Sequence, residues 1–205
     1  MKPLKGEETV RIENKFTEPK VFFAPNKKFR QSNIWFYVPG EKLSLEDEAL
    51  SGLFSKYFGT DMYSIVFQEI REFRSLGYTA YSVFSYDYLE RKPGHLYGFL
   101  GTQGDKTIDG ITAMSDLMKD MPERIEKFNS SKEALLKANA SNYITFRNKP
   151  FTVHNWVKKG YDHDPRAEIN ERIRKAEFKD VMSFYQRNIK GRPVIIMLSG
   201  RKMVS

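Results

Sequence analysis

Segments with the composition of β-strands come in adjacent pairs in this 205-residue chain, and stretches with helical periodicity separate the pairs. Adjacent strands joined by short turns usually pair antiparallel, and strands and helices that are segregated along a chain are typical of α+β folds. We therefore predict an α+β fold in which helices back one face of a mostly antiparallel sheet. The predicted strands are Lys20–Ala24, Ser32–Val38, Tyr78–Tyr86, His95–Leu100 and Val194–Leu198, with a turn around Lys92-Pro93-Gly94 between the third and the fourth.

Apolar residues recur at intervals of three and four between and after these strands, which predicts helices. Ser44 is suited to be the N-cap of a first helix, which Gly59 ends. A second helix is predicted over about Asp61–Arg74 with Met62 on its buried side, and Pro122 fits the first position of a later, longer helix. Shorter helices are predicted near Phe151–Lys159, Ala167–Lys175 and Phe178–Ile189.

The composition indicates one globular domain. Hydrophobic residues make up 40% of the chain and charged residues 29%, which excludes a disordered tail, and no run approaches the ~20 apolar residues of a membrane span. The net charge of +8 (34 Lys and Arg against 26 Asp and Glu) is scattered in short clusters, so binding of nucleic acid is not indicated. We assign residues 1–19 to a polar lead-in and residues 20–205 to a single α+β domain.

Neither a zinc site nor a familiar nucleophile is recognisable. His95, His154 and His163 lie outside any H-x-x-E-H or H-E-x-x-H motif, and the chain has no cysteine. Gly101–Thr107 departs from a phosphate-binding loop because Asp105 separates the glycine from the lysine, so we interpret it as a strand-to-helix turn. We therefore expect no metal site in this chain.

One pair of residues has a spacing that suits substrate binding. Arg71 falls near the end of the second predicted helix, and Tyr78 follows seven residues later at the start of a strand. A guanidinium there can bind a carbonyl or carboxylate oxygen, and a phenol can donate to a developing oxyanion. The alternative is structural: Arg71 pairs at the surface with Glu69, Glu72 or Asp47, and Tyr78 packs in the sheet. Spacing alone favours the structural alternative.

The run Phe54–Tyr81, FSKYFGTDMYSIVFQEIREFRSLGYTAY, resembles the signature of the insulinase-like (pitrilysin-type) zinc metallopeptidases and their processing-peptidase relatives. The similarity is to their non-metal domains, particularly those of long periplasmic bacterial members. It covers roughly Lys20–Gly200. Further matching segments are Gly101–Thr107, Met121-Pro122 with the helix after it, Gly160-Tyr161-Asp162 and Val194–Gly200.

The resemblance implies an α+β unit of the processing-peptidase, metallohydrolase-like type, several of which close in pairs around a peptide chamber. In this family one unit carries H-x-x-E-H and a distal glutamate that bind zinc, and the last unit contributes an arginine and a tyrosine seven residues apart. Those positions are Arg71 and Tyr78 here. Because H-x-x-E-H is absent, the chain resembles the last, non-catalytic unit, with zinc in the partner domain and residues 1–19 as an interdomain linker.

The resemblance therefore implies a C-terminal domain of a zinc metalloendopeptidase that closes the chamber and binds peptide substrate, without catalytic residues of its own. By itself this segment is expected to be inactive, and its zinc-bearing partner is the N-terminal half of the same or of another chain. Two alternatives stay open: an inactive subunit of a two-chain peptidase, and a peptide-binding or scaffolding module without a catalytic role. The resemblance also implies a periplasmic location.

Overall fold

Burial alternates along the strands of a single five-stranded sheet in the computed structural model, which describes residues 16–86 and 93–200. Along the second strand, Ser32, Ile34, Phe36 and Val38 are buried while the intervening residues are partly exposed, as expected when one face is covered. The strand order is β1-β5-β2-β4-β3. The strands are β1 (Lys20–Pro25), β2 (Gln31–Pro39), β3 (Thr79–Ser85), β4 (His95–Gln103) and β5 (Ile195–Gly200).

The helices follow β2 and β4 along the chain. The α-helices are α1 (Asp47–Ser55), α2 (Thr107–Lys119), α3 (Ile125–Ser141), α4 (Lys149–Lys159), α5 (Arg166–Lys175) and α6 (Phe178–Asn188). Two π-helical segments, Lys56–Thr60 and Phe67–Phe73, connect α1 to β3, and 3₁₀ turns at Gly104–Lys106 and Phe146–Asn148 precede α2 and α4. No helix among the described residues is long and apolar enough to cross a membrane. The α+β class is confirmed.

The core lies between the sheet and the helices. Aromatic rings from three elements meet there: Phe54 of α1 stacks with Phe58 of the first π-helical segment at 5.3 Å and lies 5.4 Å from Phe184 of α6. Phe184 also contacts Phe84 of β3 edge-to-face at 5.0 Å. Burying such a side chain contributes about 1.5–3 kcal/mol, so these rings fix the helical layer against one face of the sheet.

The other face of the sheet carries a ladder of aromatic side chains outside this core. Trp35 of β2 lies opposite Phe99 of β4, with ring centroids 4.3 Å apart, and Tyr37 lies opposite Tyr97. Tyr81 of β3 continues the row at 5.7 Å from Phe99. Cross-strand aromatic pairs of this kind stabilise antiparallel pairing.

The pairing of the first strand differs from the prediction. β5 lies between β1 and β2, parallel to β1 and antiparallel to β2. The expectation that adjacent strands β1 and β2 pair with each other is therefore wrong, because a strand from the far end of the chain takes that place. β5 is also less buried than its apolar sequence predicts, since Met197 is 46% exposed.

Two helix starts differ from the predicted residues. Ser44 donates both its backbone N–H and its hydroxyl to Asp47, and α1 begins at Asp47 with Glu46 in the N-cap position. The hydroxyl of buried Tyr57 donates to the carbonyl of Pro122 and accepts from the backbone of Arg124. These bonds hold the chain in a turn, so α3 begins at Ile125 and not at Pro122.

The segment between α1 and β3 also departs from the prediction. Gly59 does not end the first helix, which continues as a π-helix to Thr60. The next helical backbone starts at Ile65 and not at Asp61, and Met62 is 63% exposed although its predicted place was on a buried face. The predicted linker falls outside the described residues over positions 1–15, as does Lys92 of the predicted turn.

Replacing Asp47 by asparagine is expected to lower the free energy of unfolding by about 1–2 kcal/mol at pH 7. Asp47 accepts hydrogen bonds from Arg187 of α6 at 2.7 Å and from Ser44, and these outweigh the effect of burial and hold its pKa below the ordinary value. A depressed carboxyl pKa stabilises the fold above about pH 4, and this contribution disappears as the pH falls through the folded-state pKa.

Denaturant unfolding at several pH values measures this dependence. The difference between wild type and Asp47→Asn should shrink as the pH falls below about 4. Asp116→Asn, at an exposed position of α2, is the control and should be nearly neutral throughout. An Asp47→Asn deficit that stays constant down to pH 2 would contradict the assignment.

Candidate functional site

A cleft of about 320 Å³ opens between the end of the second π-helical segment, the start of β3 and the end of β4. Both residues singled out in the sequence, Arg71 and Tyr78, line it, together with residues 75–77, Gln103 and Lys106. Arg71 comes from the π-helical segment, Tyr78 directly precedes β3, and Lys106 ends the 3₁₀ turn after β4. The fold therefore brings the predicted pair into one cavity.

The turn that carries the cleft is fixed by backbone bonds. Ser75 has a φ of +50°, a left-handed conformation that is uncommon for residues other than glycine. The N–H of Leu76 donates to the carbonyl of Ile70 at 2.9 Å, and buried Thr102 donates its hydroxyl to the carbonyl of Leu76. The wall formed by residues 75–77 is thus anchored both to the preceding helical turn and to β4.

Gly77 allows the turn to approach the sheet closely. A Cβ atom at this position would lie 2.5 Å from Leu100 Cδ1 and 2.8 Å from the carbonyl oxygen of Gly101. The next residue, Tyr78, donates its backbone N–H to that same carbonyl at 3.0 Å. The absence of a side chain at position 77 therefore sets where Tyr78 enters the cleft.

The Tyr78 side chain points outward and is 67% exposed. Its hydroxyl oxygen accepts a hydrogen bond from Gln103 Nε2 at 3.2 Å. A phenol that accepts through oxygen can still donate its own proton, so the bond to Gln103 orients the hydroxyl without consuming its donor. The predicted alternative, in which Tyr78 packs within the sheet, does not match this exposure.

The Arg71 guanidinium stacks over the ring of Phe67, with its carbon 4.9 Å from the ring centroid. Its Nε lies 3.8 Å from the Glu72 carboxylate, a long contact between two half-exposed side chains. An exposed pair of this kind contributes about 0–1 kcal/mol. Among the acidic partners weighed in the sequence, Asp47 instead binds Arg187. Phe67 therefore supports the guanidinium, whose side chain stays about half exposed.

Sequence reasoning missed Lys106 and Gln103. Lys106 Nζ donates to the carbonyl of Ser75 at 3.2 Å across the cleft, and Gln103 bonds Tyr78. Both belong to the segment Gly101–Thr107, which the sequence analysis interpreted as a strand-to-helix turn without assigning a role to either residue. They converge with Arg71 because β4 pairs with β3, as the strand spacing predicts, but no local motif displays the contacts of their side chains across the cleft.

The histidines lie in three separate places. His95 stands on β4 with its ring 5.0 Å from Tyr37, and His154 lies on α4. His163 is hydrogen-bonded to Asp162 and Glu168, which raise its pKa. Within residues 16–86 and 93–200 no three histidine, aspartate or glutamate side chains gather as metal ligands do. The donor set described here does not fit a catalytic zinc ion.

Solved structures with this architecture include a peptidase M16 inactive domain and two proteases. A peptidase M16 inactive domain from Pseudomonas fluorescens superposes with a TM-score of 0.73 at 16% identity, covering 98% of this chain and 48% of that one. A protease from Helicobacter pylori gives 0.75 at 11% identity, covering 96% and 48%. The periplasmic protease PqqL from Escherichia coli gives 0.68 at 10% identity, covering 91% and 21%. These likenesses establish the fold.

The family follows from the sequence itself. The profile described as the peptidase M16 inactive domain matches residues 3–140, well over half of the chain. The chain therefore belongs to the peptidase M16 inactive-domain family, and the resemblance to the non-metal domain of insulinase-like peptidases is confirmed. No curated protein sequence matches the chain significantly. The chain spans about half the length of the first two structures that it matches.

Proposed function

We propose that this chain is the C-terminal, non-catalytic domain of a zinc metalloendopeptidase, and that it closes the peptide chamber and contributes Arg71 and Tyr78 to substrate binding. The observation that carries the proposal is the convergence of a guanidinium and an outward-pointing phenol on one cleft of about 320 Å³. Membership in the inactive-domain family supports a role without catalytic metal.

Arg71 and Tyr78 suit the recognition of a peptide backbone. A guanidinium presents several N–H donors in a fixed plane to a carbonyl or carboxylate oxygen, and the phenol of Tyr78 supplies another donor at the same opening. Donors held in place before the reaction stabilise negative charge that develops on a substrate oxygen. Gln103, through its bond to the Tyr78 hydroxyl, is the residue that orients this donor.

The partner in this proposal is the catalytic half of an M16 peptidase, which membership in the inactive-domain family supports. We propose that this half carries the zinc and is encoded either upstream on the same chain or as a separate subunit. An H-x-x-E-H motif upstream in the same reading frame would support the first arrangement, and one only in a neighbouring gene would support the second. A periplasmic location belongs to the same proposal, and cell fractionation tests it.

The 205-residue chain alone is expected to hydrolyse no peptide and to bind no stoichiometric zinc, whereas mixing it with the zinc-bearing half should produce chelator-sensitive peptidase activity. The reason is that the described histidines do not gather into a ligand set. Elemental analysis and a fluorogenic peptide assay measure both properties. One tightly bound zinc ion per chain, or proteolysis by the chain alone, would contradict the proposal. A zinc-bearing half that is equally active without this chain would favour the scaffolding alternative.

A further inference from the structure

The cleft contains a second cation that recognition of a neutral peptide carbonyl does not require. Lys106 faces Arg71 across the opening, and the described residues that line the cleft include these two cations and no carboxylate. The contact of Arg71 with Glu72 is long, 3.8 Å between Nε and a carboxylate oxygen, and joins two half-exposed side chains, so solvent screens it strongly. Two cations that share a small cleft indicate a ligand with a full negative charge.

We propose that Lys106, with Gln103, forms an acid-selective subsite that binds a carboxylate of the peptide substrate. The inference rests on the proposed function, because it names the substrate class of the Arg71 and Tyr78 cleft. A cleft of about 320 Å³ holds one or two peptide side chains, and its donors are a guanidinium, an ammonium, a phenol and an amide. All four can donate to a carboxylate, which has about four acceptor sites.

The Lys106 ammonium is held in place by the turn opposite it. Its Nζ donates to the carbonyl of Ser75 at 3.2 Å, and the left-handed backbone of Ser75 belongs to the anchored turn. An ammonium has three N–H donors, so the bond to Ser75 leaves two for a ligand. Lys106 is therefore already ordered in the cleft before a substrate arrives, which reduces the entropy lost on binding.

The backbone beneath Lys106 is equally constrained. Buried Thr107 donates or accepts a 2.6 Å hydrogen bond with Ser32 of β2, and its hydroxyl lies 2.8 Å from the carbonyl oxygen of Gly104. The 3₁₀ turn that carries Lys106 is thus tied to the end of the sheet where β2 begins and β4 ends. A lysine on such a support suits a specific charge contact better than one on a free surface loop.

The test measures binding of hexapeptides to the 205-residue chain by NMR titration. The peptides of the first series have an amidated C-terminus and carry a single glutamate, at a different position in each, among glutamines. The second series is an all-glutamine peptide with a free C-terminal carboxylate, and the all-glutamine amide is the neutral reference. The wild-type chain should bind at least one acidic peptide about tenfold more tightly than the neutral amide, as expected for a charge-assisted hydrogen bond. The two series distinguish a side-chain carboxylate from a C-terminal one.

Lys106→Met should abolish this preference, and Lys106→Arg should restore most of it. Lys119→Met removes a lysine from the C-terminal end of α2, the helix that follows Lys106, and is the matched control, which should leave the preference intact. A preference that survives Lys106→Met, or a wild-type chain that does not distinguish acidic from neutral peptides, would overturn the subsite. The peptide affinities measured by NMR titration do not depend on catalytic turnover. If they hold while Arg71 and Tyr78 variants keep full protease activity, the proposed function fails and the peptide-binding subsite remains.

Discussion

Replacing Tyr78 by phenylalanine in the assembled protease should lower kcat/KM by roughly 10²–10³, equivalent to about 2.7–4 kcal/mol of transition-state stabilisation. The phenol is exposed and oriented by Gln103, so its loss removes a positioned donor without opening a cavity in the core. Arg71→Ala should cause a decrease of similar size. Steady-state kinetics with equal zinc occupancy in all variants measure the effect.

Two neighbouring substitutions provide controls. Tyr63→Phe removes the hydroxyl of an exposed tyrosine, and Arg74→Ala removes an exposed arginine one turn after Arg71; neither residue lines the cleft. Both should leave kcat/KM near the wild-type value. If Arg71 acts only through its contact with Glu72, its removal costs about 0–1 kcal/mol of stability and barely changes activity. Full activity of both Arg71→Ala and Tyr78→Phe would therefore indicate that these residues have a structural role only.

Thermal melting distinguishes the loss of a substrate contact from the loss of a structural contact. A side chain that faces the substrate contributes little to folding, so Tyr78→Phe should melt at the wild-type temperature. A fall in activity accompanied by an equal fall in stability would point to misfolding and not to the loss of a donor. The bond from Gln103 predicts an intermediate phenotype for Gln103→Ala, because the Tyr78 hydroxyl would remain but lose its orientation.

The strands were predictable because their signal is local. Side chains alternate with period two along β2, and the residues with the strongest apolar character, Ile34, Phe36 and Val38, are those buried under the helices. Turn residues such as Pro39 also mark the strand end correctly. A pattern of this kind needs no knowledge of the rest of the chain.

The parts that failed depend on contacts between distant residues. Nothing in the sequence of β5 states that it lies between β1 and β2, since a short apolar strand fits several positions in a sheet. The start of α3 was missed because Tyr57, far along the chain, holds Pro122 in a turn. Local propensity favours a proline at the first helical position, and tertiary hydrogen bonds override it here.

The candidate site likewise has residues that the sequence analysis identified and residues that it missed. Arg71 and Tyr78 were proposed from the family resemblance, while their spacing alone favoured a surface role. Lys106 was visible in the sequence but had no assigned role, because its bond to the carbonyl of Ser75 joins residues 31 positions apart. The pairing of β3 with β4 was predicted, but side-chain contacts between the ends of two paired strands are not visible in either strand alone.

Gly59→Ala should lower the free energy of unfolding by about 3 kcal/mol, the upper part of the range for overpacked interiors. A Cβ atom on Gly59 would lie 2.2 Å from the carbonyl oxygen and 2.6 Å from the nitrogen of Ser82, which is fully buried in β3. Both atoms belong to the backbone, so no side-chain rotation relieves the clash. The π-helical segment and β3 would have to separate, and the hydrogen bond from the Phe84 N–H to Ser55 Oγ at 3.0 Å would be strained with them.

Gly52→Ala is the matched control in the helix that precedes this segment. Its Cβ would meet only Leu135 Cδ2 at 4.0 Å, an ordinary van der Waals distance. Alanine is the better helix former, so Gly52→Ala should stabilise the fold by about 0.5–1 kcal/mol. Opposite signs for two glycine-to-alanine changes only seven residues apart would show that the close approach to Ser82, and not the loss of backbone flexibility, determines the effect. Equal behaviour of the two variants in urea unfolding would contradict the backbone-to-backbone packing at Gly59.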